Sequence, residues 1–302
     1  MKTILPPYLK AGNTIAITCP AGYMNAENAA RCIGTLTQWG FKIIAGKTLG
    51  SKSENYFSGS DEERRNELQH MLDDKGIHAI LFGRGGYGMT RIIDTLDFKK
   101  FKKNPKWLIG FSDITVLHCH LYSNLAIASI HGPMAAAFNA DENDSLRSLH
   151  SAIMGERAYY SYEPHEFNKQ GVATGKLVGG NLALLAHVIG TSSDFETKNR
   201  ILFLEDIGEY LYNADRMLYQ LKRNGKFDKL AGLVIGGFTD MKDTERFFGK
   251  TIFEIIREII SEFDFPVCYN FPVSHGEANM ALKIGVEYNL LVSNTVTTLE
   301  EV

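Results

Sequence analysis

A chain of 302 residues is long enough for two domains with a core each. Its 44% apolar and 22% charged residues are ordinary for a globular protein, and no run approaches the ~18 apolar residues of a membrane span. A net charge of -3 with no basic stripe argues against nucleic acid as a partner, and Lys99, Lys100, Lys102 and Lys103 read as a solvated loop face.

The first half alternates short apolar runs with amphipathic segments. Residues 14–18, 41–45, 78–82 and 106–110 read as strands, with a fifth at 126–130. Between them, 28–39 reads as a helix, and Ser60-Asp61-Glu62-Glu63 is a capping box opening another that runs to about Asp74. Strands separated by helices imply βαβ units and a mainly parallel sheet covered on both faces, a three-layer α/β domain over residues 1–155. Residues 156–174 are aromatic, polar and irregular, and read as a linker or an edge-strand crossover. Apolar runs at 201–204, 233–237 and 267–269, with alternation over 295–299, give a second, smaller mixed α/β domain over 175–302. Cys19, Cys32, Cys119 and Cys268 are scattered without metal-ligand spacing, which suits buried thiols in a reducing cytoplasm. The first residues lack the apolar core of a signal peptide.

Two strand ends carry chemistry-bearing residues, and ligands of open parallel sheets sit outside the carboxyl ends of strands. Ser112 ends the run Trp107-Leu108-Ile109-Gly110-Phe111 and opens a helix. A serine at a sharp strand-to-helix turn either caps the helix or presents its hydroxyl as a nucleophile beside the helix N-terminus. One strand earlier, Gly83-Arg84-Gly85-Gly86-Tyr87-Gly88 satisfies G-x-G-x-x-G on paper. It follows the third strand rather than the first, and no acidic residue closes the next strand, so a dinucleotide fingerprint is the weaker reading. Turn glycines, or a loop whose backbone amides approach an anion, are the others. A serine nucleophile needs a base, and the base an orienting carboxylate. Of nine histidines, His131 follows a strand end, and His275, in Val273-Ser274-His275-Gly276-Glu277, lies in a loop after an apolar run. Glu205 directly ends the apolar run Ile201 to Leu204, where a carboxylate is either buried with partners or aimed at a site.

Seven segments in order carry a resemblance over nearly the whole chain, from about Gly12 to Gly285. They are Phe57-Ser58-Gly59-Ser60-Asp61, Arg84-Gly85-Gly86-Tyr87-Gly88, Gly110-Phe111-Ser112-Asp113-Ile114-Thr115, His131-Gly132-Pro133-Met134, Gly179-Gly180-Asn181-Leu182, Leu204-Glu205-Asp206 and Asp215-Arg216-Met217-Leu218. The chain resembles the LD-carboxypeptidase family of serine peptidases, the murein tetrapeptide carboxypeptidases. That resemblance implies Ser112 as nucleophile, His275 as general base and Glu205 as its orienting partner, with the site at the domain interface. It also implies an oxyanion hole of backbone amides, placed at Gly86 and Asp113. The expected reaction releases a terminal D-amino acid, usually D-Ala, from a murein tetrapeptide at meso-diaminopimelate or Lys during cytoplasmic cell-wall recycling. No metal or organic cofactor is implied, and a homodimer is. Arg84, Gly85 and His131 are candidates for substrate binding, and His131 is the fallback base. Where the family tends to carry Leu-Pro-Ile-Gly after the histidine, this chain has Leu282-Lys283-Ile284-Gly285. Within the same family, the microcin-immunity branch, acting on aminoacyl or peptidyl adenylate analogues, is the alternative. A non-catalytic muropeptide sensor is another.

Overall fold

A computed structural model describes residues 2–138, 143–276 and 278–302. The chain divides into two units, Met1–Glu156 with Met280–Lys283, and Arg157–Asn279 with Ile284–Val302.

In the first unit, β1 (Thr14–Thr18), β2 (Lys42–Ala45), β3 (Ala79–Phe82), β4 (Trp107–Gly110) and β5 (Ser129–His131) form parallel neighbours. The connections carry α1 (Ala30–Gln38), α2 (Asp61–Asp73), α3 (Met89–Ile92), α4 (Lys99–Lys103) and α5 (Thr115–Leu125), and α6 (Asp144–Met154) follows β5. Strands β3 and β4 are buried at every residue, which is why they read as unbroken apolar runs rather than alternating ones. The capping box of α2 forms as its sequence requires: Ser60 Oγ accepts from the Glu63 amide and Glu63 reaches back to the Ser60 amide. The sheet order places β1 between β2 and β3. Chain direction across the sheet reverses there, so the crevice outside β1 and β3 is the topological switch point at which such sheets bind ligands.

The second unit holds a seven-stranded mixed sheet. Its chain-order elements are β6 (Tyr159–Tyr162), β7 (Gly171–Asn181), α7 (Leu182–Val188), β8 (Arg200–Ile207), α8 (Leu211–Arg223), β9 (Gly232–Thr239), α9 (Ile252–Ile259) and β10 (Val267–Cys268). A further strand, β11 (Leu282–Ile284), joins the first unit's sheet beside β5; β12 (Glu287–Val292) and β13 (Thr297–Glu301) complete the second. Strands β7 to β10 run parallel, and β12, β13 and β6 add antiparallel partners. The segment 156–174, read from its composition as a linker or edge crossover, thus contains the edge strand β6 and the first residues of β7. Its residues 159–162 alternate between exposed and half-buried, the pattern of an edge strand covered on one face, and that mixture made it look irregular. Residues 280–283 belong to the first unit, because β11 pairs there.

Cys19, Cys32, Cys119 and Cys268 are buried thiols. Among the described residues, no helix is long and apolar enough to cross a membrane.

Candidate active site

Ser112 opens a 3-10 turn, Ser112–Ile114, that leads into α5. Its φ is +61°, a left-handed conformation that costs a non-glycine residue about 1–2 kcal/mol. The capping alternative does not hold: Phe111 is the N-cap of the turn, Ile114 that of α5, and neither end takes a side-chain cap. The half-buried serine hydroxyl is therefore not spent on the helix. Such strain at a strand-to-helix turn is the mark of a nucleophile elbow.

The glycine loop lies against this turn. A Cβ on Gly85 would stand 2.9 Å from Ser112 Oγ and 3.4 Å from the Asp113 amide, so only glycine leaves that space open. The loop is held by its backbone at several points. The Gly83 amide donates to Thr18 O at 2.8 Å, and Gly83 O accepts from the Ala136 amide at 3.0 Å. Gly85 O accepts from the Gly22 amide at 3.1 Å, which bridges the ends of β1 and β3. Because a trans peptide points its C=O and N–H in opposite directions, pinning Gly85 O also fixes the direction of the Gly86 N–H. Gly86 has φ +100°, a conformation glycine adopts without strain.

Sequence reasoning missed the supports beneath the loop. The Asp113 side chain is fully buried, and its Oδ2 accepts from the Met89 amide at 2.8 Å. Burial pushes its carboxyl up to about 6, against the lowering pull of the Met89 and Gly88 amides and of Arg64. Arg64 is also fully buried, though it sits in a run of charges where a solvated helix face is the obvious reading. Its guanidinium donates to Pro20 O, to Gly88 O at 3.3 Å and to Gly59 O at 3.2 Å, and pairs with Asp61. His118 is buried as well, bonding Gly110 O and Ser129 Oγ, each at 2.8 Å. Burial lowers its pKa to about 4, so it is neutral and buttresses the end of β4.

The other candidates in this unit are placed as follows. Arg84 is exposed and donates to Tyr23 O at 3.0 Å, and among the described residues it forms no ion pair. His131 ends β5 with its side chain fully buried, its ring 5.8 Å from that of Phe111 and 6.4 Å from that of His118.

In the second unit, Glu205 lies near the carboxyl end of β8, where the register against β9 slips between Leu204 and Asp206. A bulge of this kind re-aims a side chain. Glu205 is fully buried, and its Oε2 accepts from His275 Nδ1 at 2.6 Å. A carboxylate there fixes the tautomer: with the proton on Nδ1, Nε2 is the basic nitrogen. The His275 loop is seated on β9 by close backbone approach. A Cβ on Gly236 would meet Val273 O at 2.3 Å, and one on Gly237 would meet Ser274 Cβ at 2.5 Å. Gly237 donates to Val273 O at 2.9 Å, while Ser274 Oγ accepts from the Gly276 amide and donates to Ala278 O, each at 2.9 Å. Asp206, next to Glu205, turns to the other side and accepts from Asn181 Nδ2 at 2.7 Å and the Ala183 amide at 3.0 Å. Burial, together with the Glu205 charge, pushes it up to about 7.

An elbow serine beside a glycine loop, and a buried carboxylate holding a histidine by Nδ1, are parts of a hydrolase. Residues 15–132 match the LD-carboxypeptidase N-terminal domain and residues 174–290 the LD-carboxypeptidase C-terminal domain, and this chain belongs to that family. It is 30% identical over 300 residues to the probable murein peptide carboxypeptidase of Bacillus subtilis (strain 168), covering 98% of this chain and 94% of the relative. The crystal structure of muramoyltetrapeptide carboxypeptidase from Oxalobacter formigenes superposes with a TM-score of 0.86 at 28% identity, over 96% of this chain and 98% of that one. The microcin C7 self-immunity protein MccF, in complex with aspartyl sulfamoyl adenosine, shares the fold with a TM-score of 0.87 at 23% identity, over 99% of each chain.

Proposed function

We propose that this chain is a serine-type carboxypeptidase that hydrolyses the amide between an L-configured centre and the terminal D-Ala of murein tetrapeptides, in the cytoplasm, during cell-wall recycling. The observation that carries this reading is Ser112, held at φ +61° with its hydroxyl uncommitted to a cap and a side-chain-free glycine facing it.

In the proposed reaction His275 Nε2 takes the Ser112 proton as Oγ attacks the scissile carbonyl, and Glu205 stabilises the imidazolium through Nδ1–H. The tetrahedral oxyanion is received by the backbone N–H groups of Gly86 and Asp113, each contributing about 3–4 kcal/mol in sites of this kind. Asp113 N–H suits this because the first amides of a helical turn have no acceptor within it. His275 then protonates the departing D-Ala amine, and water, activated by the same imidazole, releases the acyl-enzyme. Arg84, exposed within the loop and donating to the Tyr23 carbonyl, is suited to the carboxylate of the terminal D-residue. Gly85 leaves room for the acyl carbon, and His131 supports the wall through Phe111. The stem residue before D-Ala is meso-diaminopimelate or Lys, and a homodimer is carried by the family resemblance alone.

The likeness to MccF favours one second reading, hydrolysis of an aminoacyl or peptidyl adenylate analogue by the same serine. Incubating purified protein with defined tetrapeptides, and separately with an aminoacyl sulfamoyl adenosine, and following products by mass spectrometry separates the two. D-Ala release by the wild type and at least 10³-fold less by Ser112→Ala is the expected result. Release undiminished in Ser112→Ala would remove the nucleophile assignment. No turnover of either substrate, with no labelling by a fluorophosphonate, would leave a binding protein in place of an enzyme.

A further inference from the structure

The glycine loop beside Ser112 is held at its far end by hydrogen bonds from two sides. The peptide joining Gly88 to Met89 is gripped on both sides. Its N–H donates to Asp113 Oδ2 at 2.8 Å, and its C=O accepts from Arg64 Nη1 at 3.3 Å and from the Arg91 amide at 3.1 Å. Gly88 has φ +156°, and a Cβ there would come within 2.7 Å of Ala21 Cα and 2.9 Å of Arg64 Nη1. Asp113 follows Ser112 directly in the same turn, so the group that grips the loop is covalently joined to the nucleophile. Gly86 lies two residues before Gly88, within about 7 Å of chain.

Stability alone is a poor reason for this carboxylate. Asp113 is fully buried, and its Oδ1 has no hydrogen-bond partner among the described residues. Burying a charge with half its acceptor capacity unused costs several kcal/mol, which a neutral or apolar side chain would avoid. A charged acceptor, however, holds an amide about twice as strongly as a neutral one.

We infer that the Asp113 carboxylate is a positioning residue: by gripping the Gly88–Met89 peptide from the turn that bears Ser112, it sets the distance between the nucleophile and the Gly86 amide. The inference rests on Ser112 and Gly86 acting as proposed above. Desolvation by burial acts most strongly on the carboxyl, opposed by three groups: the Met89 amide at the start of α3, the Gly88 amide before it and Arg64 from α2. The ionised form makes the grip. Protonation weakens it and lets the glycine loop relax away from Ser112.

The test combines kinetics on the full chain with a spectroscopic reading of the grip. Asp113→Asn, and Asp113→Ser as a second neutral variant, should lower kcat for D-Ala release about 100-fold with KM within about twofold, since loss of one oxyanion donor costs 10²–10³ in kcat. A merely structural role would instead lower the melting temperature and leave the kcat of the folded fraction unchanged. In 15N-labelled Ser112→Ala protein, the Met89 amide proton should titrate with a midpoint near 6 and lose that titration when Asp113→Asn is added. Wild-type kcat in either folded variant, or a Met89 amide blind to pH between 4 and 8, would overturn the inference. Failure of the nucleophile assignment looks different: Ser112→Ala would then stay active while the Met89 titration persisted. Should neither variant fold, the Met89 titration decides.

Discussion

Ser112 stores strain where the chemistry is proposed to happen, and the amount can be measured. Replacing it by glycine removes the penalty of φ +61°, offset in part by the greater freedom of glycine in the unfolded chain. Ser112→Gly should therefore raise the unfolding free energy by about 0.5–1 kcal/mol in urea titrations while abolishing D-Ala release. A variant no more stable than the wild type would show that the left-handed serine is unstrained. At this scale the serine, the Glu205 carboxylate and the His275 loop were legible in the sequence, because each stands where an apolar run ends. Asp113 was legible only as a backbone donor, and Arg64 not at all. Nothing in Asp61-Glu62-Glu63-Arg64-Arg65 distinguishes the one guanidinium that points inward from its solvated neighbours. Its role emerges only when Pro20, Gly59 and Gly88, three loops far apart in sequence, present their carbonyls to it.

At the level of elements, the loops that carry function depend on strands that lack side chains at chosen points. Gly236 is the clearest case, since any Cβ there would lie 2.3 Å from Val273 O and 3.3 Å from Glu205 Cβ. Gly236→Ala should push the His275 loop off β9, costing about 1–3 kcal/mol of stability as overpacked sites do. D-Ala release should fall at least tenfold in the same variant. Unchanged urea midpoint and unchanged turnover together would mean that the loop does not rely on that contact. The capping box of α2 and the apolar strands of both sheets were readable from short-range pattern. The bulge that re-aims Glu205 was not, because it arises from the pairing of β8 with β9 and leaves no local mark.

For the whole molecule, the parallel first sheet followed from the alternation of strands and helices, whereas the placement of β11 beside β5 did not. A three-residue strand near the chain's end carries no signal naming a partner 150 residues earlier. The buried carboxylates also set a pH dependence of folding. Asp206 and Asp113 are pushed up to about 7 and about 6 in the folded state. A raised carboxyl favours the folded state below its unfolded value, and that contribution is lost as pH rises through the folded one. Between pH 4 and 7 the stability of the wild type should therefore fall relative to Asp206→Asn, by on the order of 1–3 kcal/mol. Paired urea titrations at pH 4.5 and 7.5 measure the difference, and a gap that stays constant or widens in the wild type's favour would refute it.

The route taken by β11 also bears on how the polypeptide is made. The first unit's sheet ends at β5, a strand buried along its whole length, until Leu282–Ile284 arrives to flank it. A ribosome must therefore deliver the chain as far as Ile284 before that edge is closed. During synthesis the N-terminal half waits with an open, apolar strand edge, the kind of surface that templates wrong pairings between nascent chains. The first unit's sheet is thus completed only once residues 282–284 have been made, long after its other strands.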